Sequence, residues 1–336
     1  MKIAVDAMGG DHAPEKIVKG ALLACQSFND IEIELIGKKK AIEECLSEDY
    51  PQERISIRNA EEIITMSDSP SRAIRRKKDS SLVKGVDLLN EKEVDAFISA
   101  GNTGAVMAAS LFNLGRLKGI KRPSILINFP SINGQTIVMD NGANADCKPK
   151  HLLQFALMGQ IYAKNVLKID NPRIGLLSIG EEKEKGNQLV KESYPLFEND
   201  NRIKNFIGNV EGRDIFNGNC DLVICDGFVG NIVLKTTEGV ASLMSNLLKD
   251  ALYTNLRSKL GALLLKPYLK AFKEKVDYRK YGGAPLLGVN GVVIISHGSS
   301  DEVAIENAIK VARNTVKNNV VTAIEENINK DGENID

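Results

Sequence analysis

Short apolar runs alternate with longer helical stretches along almost the whole chain, and this alternation limits the fold more than any other feature. The segments 2–6 (KIAVD), 31–37, 94–99, 124–129, 136–140, 173–180, 220–226 and 291–296 read as strands. Helical patterns fall near 15–27, 79–91, 103–115, 149–168, 187–198, 229–250 and 300–327. Strands alternating with helices indicate an α/β protein. Most of the strand segments are near-continuous apolar runs, so both of their faces are covered. That predicts a largely parallel sheet between helix layers. No repeat, low-complexity stretch or linker divides the chain. Residues 1–330 are therefore expected to form one large domain, and 331–336 a polar tail.

Glycine-rich loops follow strand after strand: 6–14 (DAMGGDHAP), 99–105 (SAGNTGA), 140–149 (DNGANADCKP), 178–187 (SIGEEKEKGN), 225–231 (CDGFVGN) and 296–302 (SHGSSDE). In a parallel sheet these carboxyl ends share one edge, where ligands bind. Helices that open there favour an anion. The spacing G-x-G-x-x-G is absent from the first loop, and no G-x-x-x-x-G-K-[ST] occurs. Dinucleotide binding and nucleotide hydrolysis therefore have no motif to rest on. A single anion or phosphate site shared by the loops is the expectation.

Composition narrows the classes further. Lys and Arg number 44 and Asp and Glu 44, so the net charge is zero, which argues against a nucleic-acid partner. No run of 18 apolar residues suggests a membrane span, and Asp6 interrupts the first apolar run, so a cytoplasmic protein is expected. The five cysteines, Cys25, Cys45, Cys147, Cys220 and Cys225, include no C-x-x-C, and the three histidines are scattered. Neither a disulfide framework nor a metal site is expected, and no cofactor.

The loop motifs VDAMGGDHAP, SAGNTGA, DNGAN, KGN at 185–187, DGFVGNIVLKT and GGAPLLGVNG…HGSS, taken together and in this order, resemble the bacterial phosphate acyltransferase family of phospholipid synthesis. The resemblance runs from Met1 to about residue 327. One departure is visible: the family's DVGAN is Asp140-Asn141-Gly142-Ala143-Asn144 here. The resemblance implies a Rossmann-like α/β/α sandwich akin to phosphotransacetylases and the isopropylmalate dehydrogenase group. It implies transfer of an acyl group from acyl carrier protein to inorganic phosphate. It also implies a homodimer at the membrane surface, whose acyl phosphate feeds a membrane glycerol-3-phosphate acyltransferase.

Phosphate is a nucleophile at neutral pH, so this chemistry calls for donors that hold a dianion and stabilise an oxyanion. Lys185 precedes Gly186-Asn187 at an expected helix start; it is either a phosphate or oxyanion ligand or a solvated lysine of the run EEKEK, and the resemblance favours the former. Asn231 reads as a helix cap that also donates to phosphate or the carbonyl oxygen. His297 either donates to phosphate or the leaving thiolate, or packs against its loop. Asn102 and Thr103 open a helix with the same two readings as Asn231. Gly9, Gly10, Asn144 and Gly186 complete the expected substrate contacts. Asp11 is grouped with them, though as an acid near phosphate it would act by orienting a Lys or His, as would Asp6. A covalent route through Cys147 has no evident base and is disfavoured.

Two basic segments remain. The stretch 71–78 (SRAIRRKK) has five cations and no acid. Arg72, Arg75, Arg76 and Lys77 are either solvated or a landing site for an acidic carrier protein, which the resemblance supports. The stretch 254–280 carries a local charge of +6 from eight Lys or Arg and two acids. Leu256, Leu260, Leu263 and Leu264 share one helical face there, and Pro267 is expected to kink or end the helix. A buried face is the ordinary reading. The local charge favours instead an amphipathic helical hairpin at about 245–280 that touches anionic lipid. Competing readings are a phosphotransacetylase acting on acyl-CoA, an NAD-dependent dehydrogenase of the isopropylmalate type, and a non-enzymatic α/β scaffold.

Overall fold

A computed structural model describes residues 1–47, 49–276 and 282–329, with the side chains of 256, 270–276 and 329 left undescribed. The expected tail at 331–336 lies outside the described residues. Eleven described strands form one mixed sheet: β1 (Lys2–Asp6), β2 (Glu32–Gly37), β3 (Ile55–Asn59), β4 (Ala96–Ser99), β5 (Ser124–Ser131), β6 (Gly134–Met139), β7 (Ile174–Leu177), β8 (Phe206–Val210), β9 (Leu222–Ile224), β10 (Ala284–Leu287) and β11 (Val292–Ile295). Their order is β3-β2-β1-β4-β11-β10-β5-β6-β9-β7-β8. The helices are α1 (Glu15–Ser27), α2 (Lys39–Glu43), α3 (Pro70–Arg76), α4 (Ser81–Asn90), α5 (Thr103–Ala109), α6 (Pro149–Asn165), α7 (Gln188–Asn199), α8 (Asp214–Asn217), α9 (Gly227–Tyr253), α10 (Leu256–Val276), α11 (Glu302–Lys317) and α12 (Val320–Asn329).

The apolar strand residues divide by parity, as a sheet covered on both faces requires. Ile3, Val5, Val292 and Ile294 pack with the buried side of α1 and α11. Ala4, Phe97, Val293 and Ile295 pack on the opposite face with α4 and α5. In the second half, Ile137, Met139, Leu222 and Ile224 meet α6 and α7, and Val138 and Val223 meet α8 and the first turns of α9. The expected α/β/α sandwich is therefore present.

One expectation is corrected. The strands β3, β2, β1, β4 and β11 are mutually parallel, and so are β6, β9, β7 and β8. Between these sets, β10 runs antiparallel to both β11 and β5, and β5 and β6 form a hairpin. The two parallel sets consequently run in opposite directions. The loops at 6–14, 99–105 and 296–302 leave one edge of the sheet, and those at 140–149, 178–187 and 225–231 leave the other. They do not share one edge.

Three helical expectations also change. The segment 300–327 breaks into α11 and α12 at Asn319, whose φ of 49° is left-handed. The segment 103–115 passes from α5 into a π-helical turn, Ser110–Leu114. Pro267 does not end its helix, since α10 continues to Val276. The edge strands β3 and β8 were not legible, because each is short and interrupted by polar residues or glycine; β10 is apolar but only four residues long, and Pro285 within it argues against a strand. From Gly239 to Ala251 every residue of α9 is exposed, and the helix turns back at Thr254–Asn255 to pack against α10. Among the described residues no helix is long and apolar enough to cross a membrane.

The first turns of α9 lie unusually close to the loop after β6. A Cβ on Gly230 would sit 1.8 Å from the Asp140 carbonyl oxygen. A Cβ on Gly239 would meet nothing within 4 Å. Gly230→Ala should therefore destabilise the protein by about 3 kcal/mol, the upper end of ordinary overpacking costs, because the obstacle is backbone. Gly239→Ala should stabilise it by up to ~1 kcal/mol through helix propensity. Urea midpoints of the two variants should move in opposite directions; a shift of the same sign would contradict this packing.

Candidate active site

A cavity of about 440 Å³ opens where the two halves of the sheet meet, along β5. Its polar wall is made by Thr103, Asn141, Asn231, Lys235, Ser296 and His297. Its apolar wall includes Met107, Ile127, Phe129, Leu234 and Ile295. Loops from both edges, 99–105 and 296–302 on one side and 140–149 and 225–231 on the other, thus reach one cavity, because the antiparallel strands at the centre bring the two halves together; no residue of 6–14 or 178–187 lines it.

Each half positions its loops with a buried aspartate at the end of a strand. Asp6 ends β1; it accepts from Met8 N–H at 3.1 Å and Ser99 Oγ at 2.7 Å. Burial pushes its carboxyl above the ordinary range, against the hydrogen bonds from Ser81 and Ser99. Gly9 lies against this carboxylate and the Gly101 nitrogen, a space that a Cβ would fill. The Asp11 N–H donates to the Gly298 carbonyl at 2.7 Å, tying the first loop to the last. Gly10 takes a φ of 103° at that junction.

Asp140 follows β6. It accepts from Ile125 N–H at 2.9 Å, Asn144 N–H at 2.7 Å and Asn144 Nδ2 at 2.9 Å. Burial raises its carboxyl pKa, opposed by these donors. Asn144 also donates to the Pro123 carbonyl at 2.7 Å. Asn144 is therefore buried and turned inward, and does not line the cavity. The helix α9 is capped by Asp226, whose Oδ1 accepts from Val229 N–H at 2.8 Å. This corrects the reading of Asn231 as the cap. Asn231 lies inside the helix, exposed, with its side chain over Gly142.

Asn102 does cap α5, accepting from Ala105 N–H at 3.0 Å. Its amide also donates to the carbonyls of Met66 and Asp68, each at 3.2 Å, so it anchors the 65–68 loop. Thr103 beside it is exposed and lines the cavity. His297 lines it too: its Nε2 lies 3.4 Å from Lys235 Nζ, and its Nδ1 lies 2.8 Å from Ser299 Oγ. Lys185 is exposed on the loop after β7, two residues before Asn187, which caps α7 through Val190 N–H at 2.9 Å. Gly186 there has a φ of 106°. Neither lines the cavity.

Of the basic stretch, Arg72, Arg75 and Arg76 are exposed, with Arg75 stacked 5.6 Å over Phe112. Lys77 is half-buried and donates to Asp68 Oδ2 at 2.6 Å and the Ile63 carbonyl at 2.8 Å. Leu260, Leu263 and Leu264 are exposed on α10 at 63%, 64% and 73%, which excludes the buried face within this chain. The side chain of Leu256 lies outside the described residues.

Lys235, Glu238, Ser296 and Asn141 were not singled out from sequence. The spacing of Lys235, four residues after Asn231 in one helix, was the available signal. Asn141, where the quoted motif departs from the family, forms part of the cavity wall; its Nδ2 donates to the Val138 carbonyl at 2.6 Å.

Cys147 is half-buried, and its Sγ donates to the Asn144 carbonyl at 3.6 Å. Burial, with Asp140 and Asp226 nearby, pushes its thiol up to about 12. Iodoacetamide at pH 8 should therefore label Cys147 at least roughly a hundredfold more slowly than free cysteine, since the thiolate reacts. Peptide mapping after timed labelling measures this, and rapid labelling would restore Cys147 as a candidate nucleophile.

Comparisons with known proteins agree with this architecture. A family model described as "Fatty acid synthesis protein" matches residues 1–323. The phosphate acyltransferase of Halothermothrix orenii is 61% identical over 334 residues, spanning 99% of this chain and 100% of that one. The phosphate acyltransferase of Desulfitobacterium hafniense is 52% identical, spanning 98% of each. Among solved structures, a phosphotransacetylase from Streptococcus pyogenes has a TM-score of 0.65 at 16% identity, covering 94% of each chain. A 4-hydroxythreonine-4-phosphate dehydrogenase from Klebsiella pneumoniae has a TM-score of 0.53 at 12% identity, covering 94% of this chain and 99% of that one. At these identities the likeness to the solved structures is one of fold.

Proposed function

The chain belongs to the phosphate acyltransferase family, and from this premise we propose that its central cavity transfers an acyl group from acyl carrier protein to inorganic phosphate. The observation that carries the reading is one cavity that joins polar donors to an apolar wall. Met107, Ile127, Phe129 and Leu234 offer the fatty chain a surface, and Asn231 and His297 stand at the polar side.

A phosphate oxygen attacks the thioester carbonyl carbon, and the carbon–sulfur bond breaks. Monohydrogen phosphate brings one proton, which ends on the carrier thiol, so acyl phosphate and thiol form with no net proton exchange. The protein's work is positioning and charge stabilisation. Asn231 is suited to donate to the carbonyl oxygen as it becomes an oxyanion. Lys185 is exposed on the same sheet edge as Asn231. That leaves it available to a phosphate group arriving from solvent.

The carrier protein would dock on α3. Pro70 at the start of α3 packs against Gly104, which lines the cavity, so Arg72, Arg75 and Arg76 stand beside its rim. The hairpin of α9 and α10 would serve two contacts. Val240, Leu243, Met244 and Leu247 form an exposed apolar row on α9 that fits a second copy of the chain. Leu260, Leu263 and Leu264 with the basic residues of α10 fit an anionic membrane, bringing the acyl phosphate near the membrane acyltransferase that consumes it.

Purified protein should release carrier thiol only when long-chain acyl carrier protein and phosphate are both present. Equal turnover of acyl-CoA would favour the phosphotransacetylase reading instead. Asn231→Ala should lower kcat/KM by roughly two to three orders of magnitude, the scale for one lost transition-state donor. An unchanged rate would move the chemistry away from this loop.

Leu260→Glu combined with Leu264→Glu should abolish sedimentation with phosphatidylglycerol vesicles while leaving thiol release in solution nearly unchanged. Each surface cation adds about 1 kcal/mol to such binding, but the leucines supply the insertion. Loss of the dimer in this double variant, with vesicle binding retained, would assign the leucines to the subunit interface.

A further inference from the structure

Lys235 stands one helical turn beyond Asn231 on α9, and both line the cavity. Among the described residues it is the one lysine or arginine that does so. Its ammonium donates to Glu238 Oε2 at 2.8 Å, an i,i+3 pair that fixes its position on the helix. The same nitrogen lies 3.4 Å from His297 Nε2.

The other side of the imidazole decides what this approach means. The Ser299 backbone N–H donates to His297 Nδ1 at 3.2 Å. A backbone N–H can only donate, so Nδ1 is the acceptor and the proton of the neutral ring belongs on Nε2. This tautomer follows from the hydrogen-bond network. Ser299 Oγ, 2.8 Å from Nδ1, can donate to the same nitrogen. Nε2–H and the Lys235 ammonium then face each other, donor against donor, and neither satisfies the other. A single acceptor placed between them satisfies both, and an anionic oxygen does so most strongly.

A third group points the same way. Ser296 is 4% exposed and lines the cavity, and its Oγ has no hydrogen-bond partner among the described residues. A buried hydroxyl left unpaired is a place where a ligand atom belongs.

We propose that Lys235, His297 and Ser296 form the phosphate pocket, with Lys235 supplying the positive charge that holds the anion for attack. This rests on the acyl-phosphate reading and adds to it the residues that bind the nucleophile. The assignment to phosphate over the thioester follows from charge and number of oxygens. The thioester carbonyl is neutral and presents one oxygen, which Asn231 can serve. A phosphate dianion presents several oxygens to a cation, an imidazole N–H and a hydroxyl at once.

The test measures phosphate and acyl donor separately on the full chain. Lys235→Gln should raise the KM for phosphate by roughly tenfold or more, the scale of a lost charge-assisted hydrogen bond. Its KM for acyl carrier protein should stay within about twofold, since the donor is held elsewhere. Lys235→Arg should recover most of the phosphate affinity, because it keeps the charge. Lys249→Gln, on the exposed continuation of the same helix, should behave as the wild type. Calorimetric titration with inorganic phosphate, without any acyl donor, should show binding to the wild type and its loss in Lys235→Gln.

An unchanged phosphate KM in a folded Lys235→Gln protein overturns the proposal. So does an equal effect of Lys249→Gln, which would reduce the matter to the general charge of the helix. If the wild type releases no carrier thiol, the acyl-transfer reading fails. The calorimetric comparison still decides the phosphate pocket in that case: loss of binding in Lys235→Gln supports it, and retained or absent binding overturns it.

Discussion

The buried carboxylate of Asp140 is the contact on which the arrangement of the site depends. It gathers the Ile125 N–H, the Asn144 N–H and the Asn144 amide at 2.7–2.9 Å, so it joins the start of β5 to the loop after β6. The Gly227 N–H donates to the Asn144 carbonyl at 2.8 Å, which seats the first turn of α9 on that loop. Gly227 and Gly230 have no side chains because the loop fills that space. A carboxylate buried this deeply would be costly without its donors. With them it fixes where α9 begins and which of its faces meets β5. Asn231 and Lys235 inherit their positions from it.

Asp6 does the equivalent work in the other half of the sheet. It ties Ser99 and the glycine loop at 8–9 together, and through Gly9 and Gly101 it brings the strand ends of β1 and β4 close. The link from Asp11 to Gly298 extends this to the loop that carries His297. Each half is thus a parallel sheet with its own aspartate-anchored loop cluster. The antiparallel strands β10 and β5 join the halves, and the cavity forms at that junction rather than along a common edge. Rigid elements on both sides hold the polar groups in place.

The apolar runs made most of the strands legible, and Asn102, read as opening a helix, does cap α5. The reversal of direction was less visible. The turn that joins β5 to β6 is Ile132-Asn133, closed by the pairing of Ser131 with Gly134, which takes a φ of 135°. The edge strand β3 escaped notice because Ser56, Arg58 and Asn59 interrupt its apolar character, as an edge strand allows. Of the residues the motifs singled out, Asn231 and His297 line the central cavity and Asn144 does not. The structure turns Asn144 inward to Asp140, because a loop with so many backbone donors needs an internal partner.

By itself, then, the sequence determined the α/β class, the positions of most elements, the glycine-rich loops and the family to which the chain belongs. These are local properties: the periodicity of apolar residues, the φ that glycine permits and the order of motifs along the chain. Only the tertiary structure decided that the loops leave opposite edges of the sheet, that Lys235 faces His297, and that the buried Ser296 hydroxyl has no partner among the described residues. Those facts depend on which strands pair and in which direction. Pairing is set by contacts between residues far apart in the chain, such as Leu286 with Ile125. No spacing within a single segment encodes them.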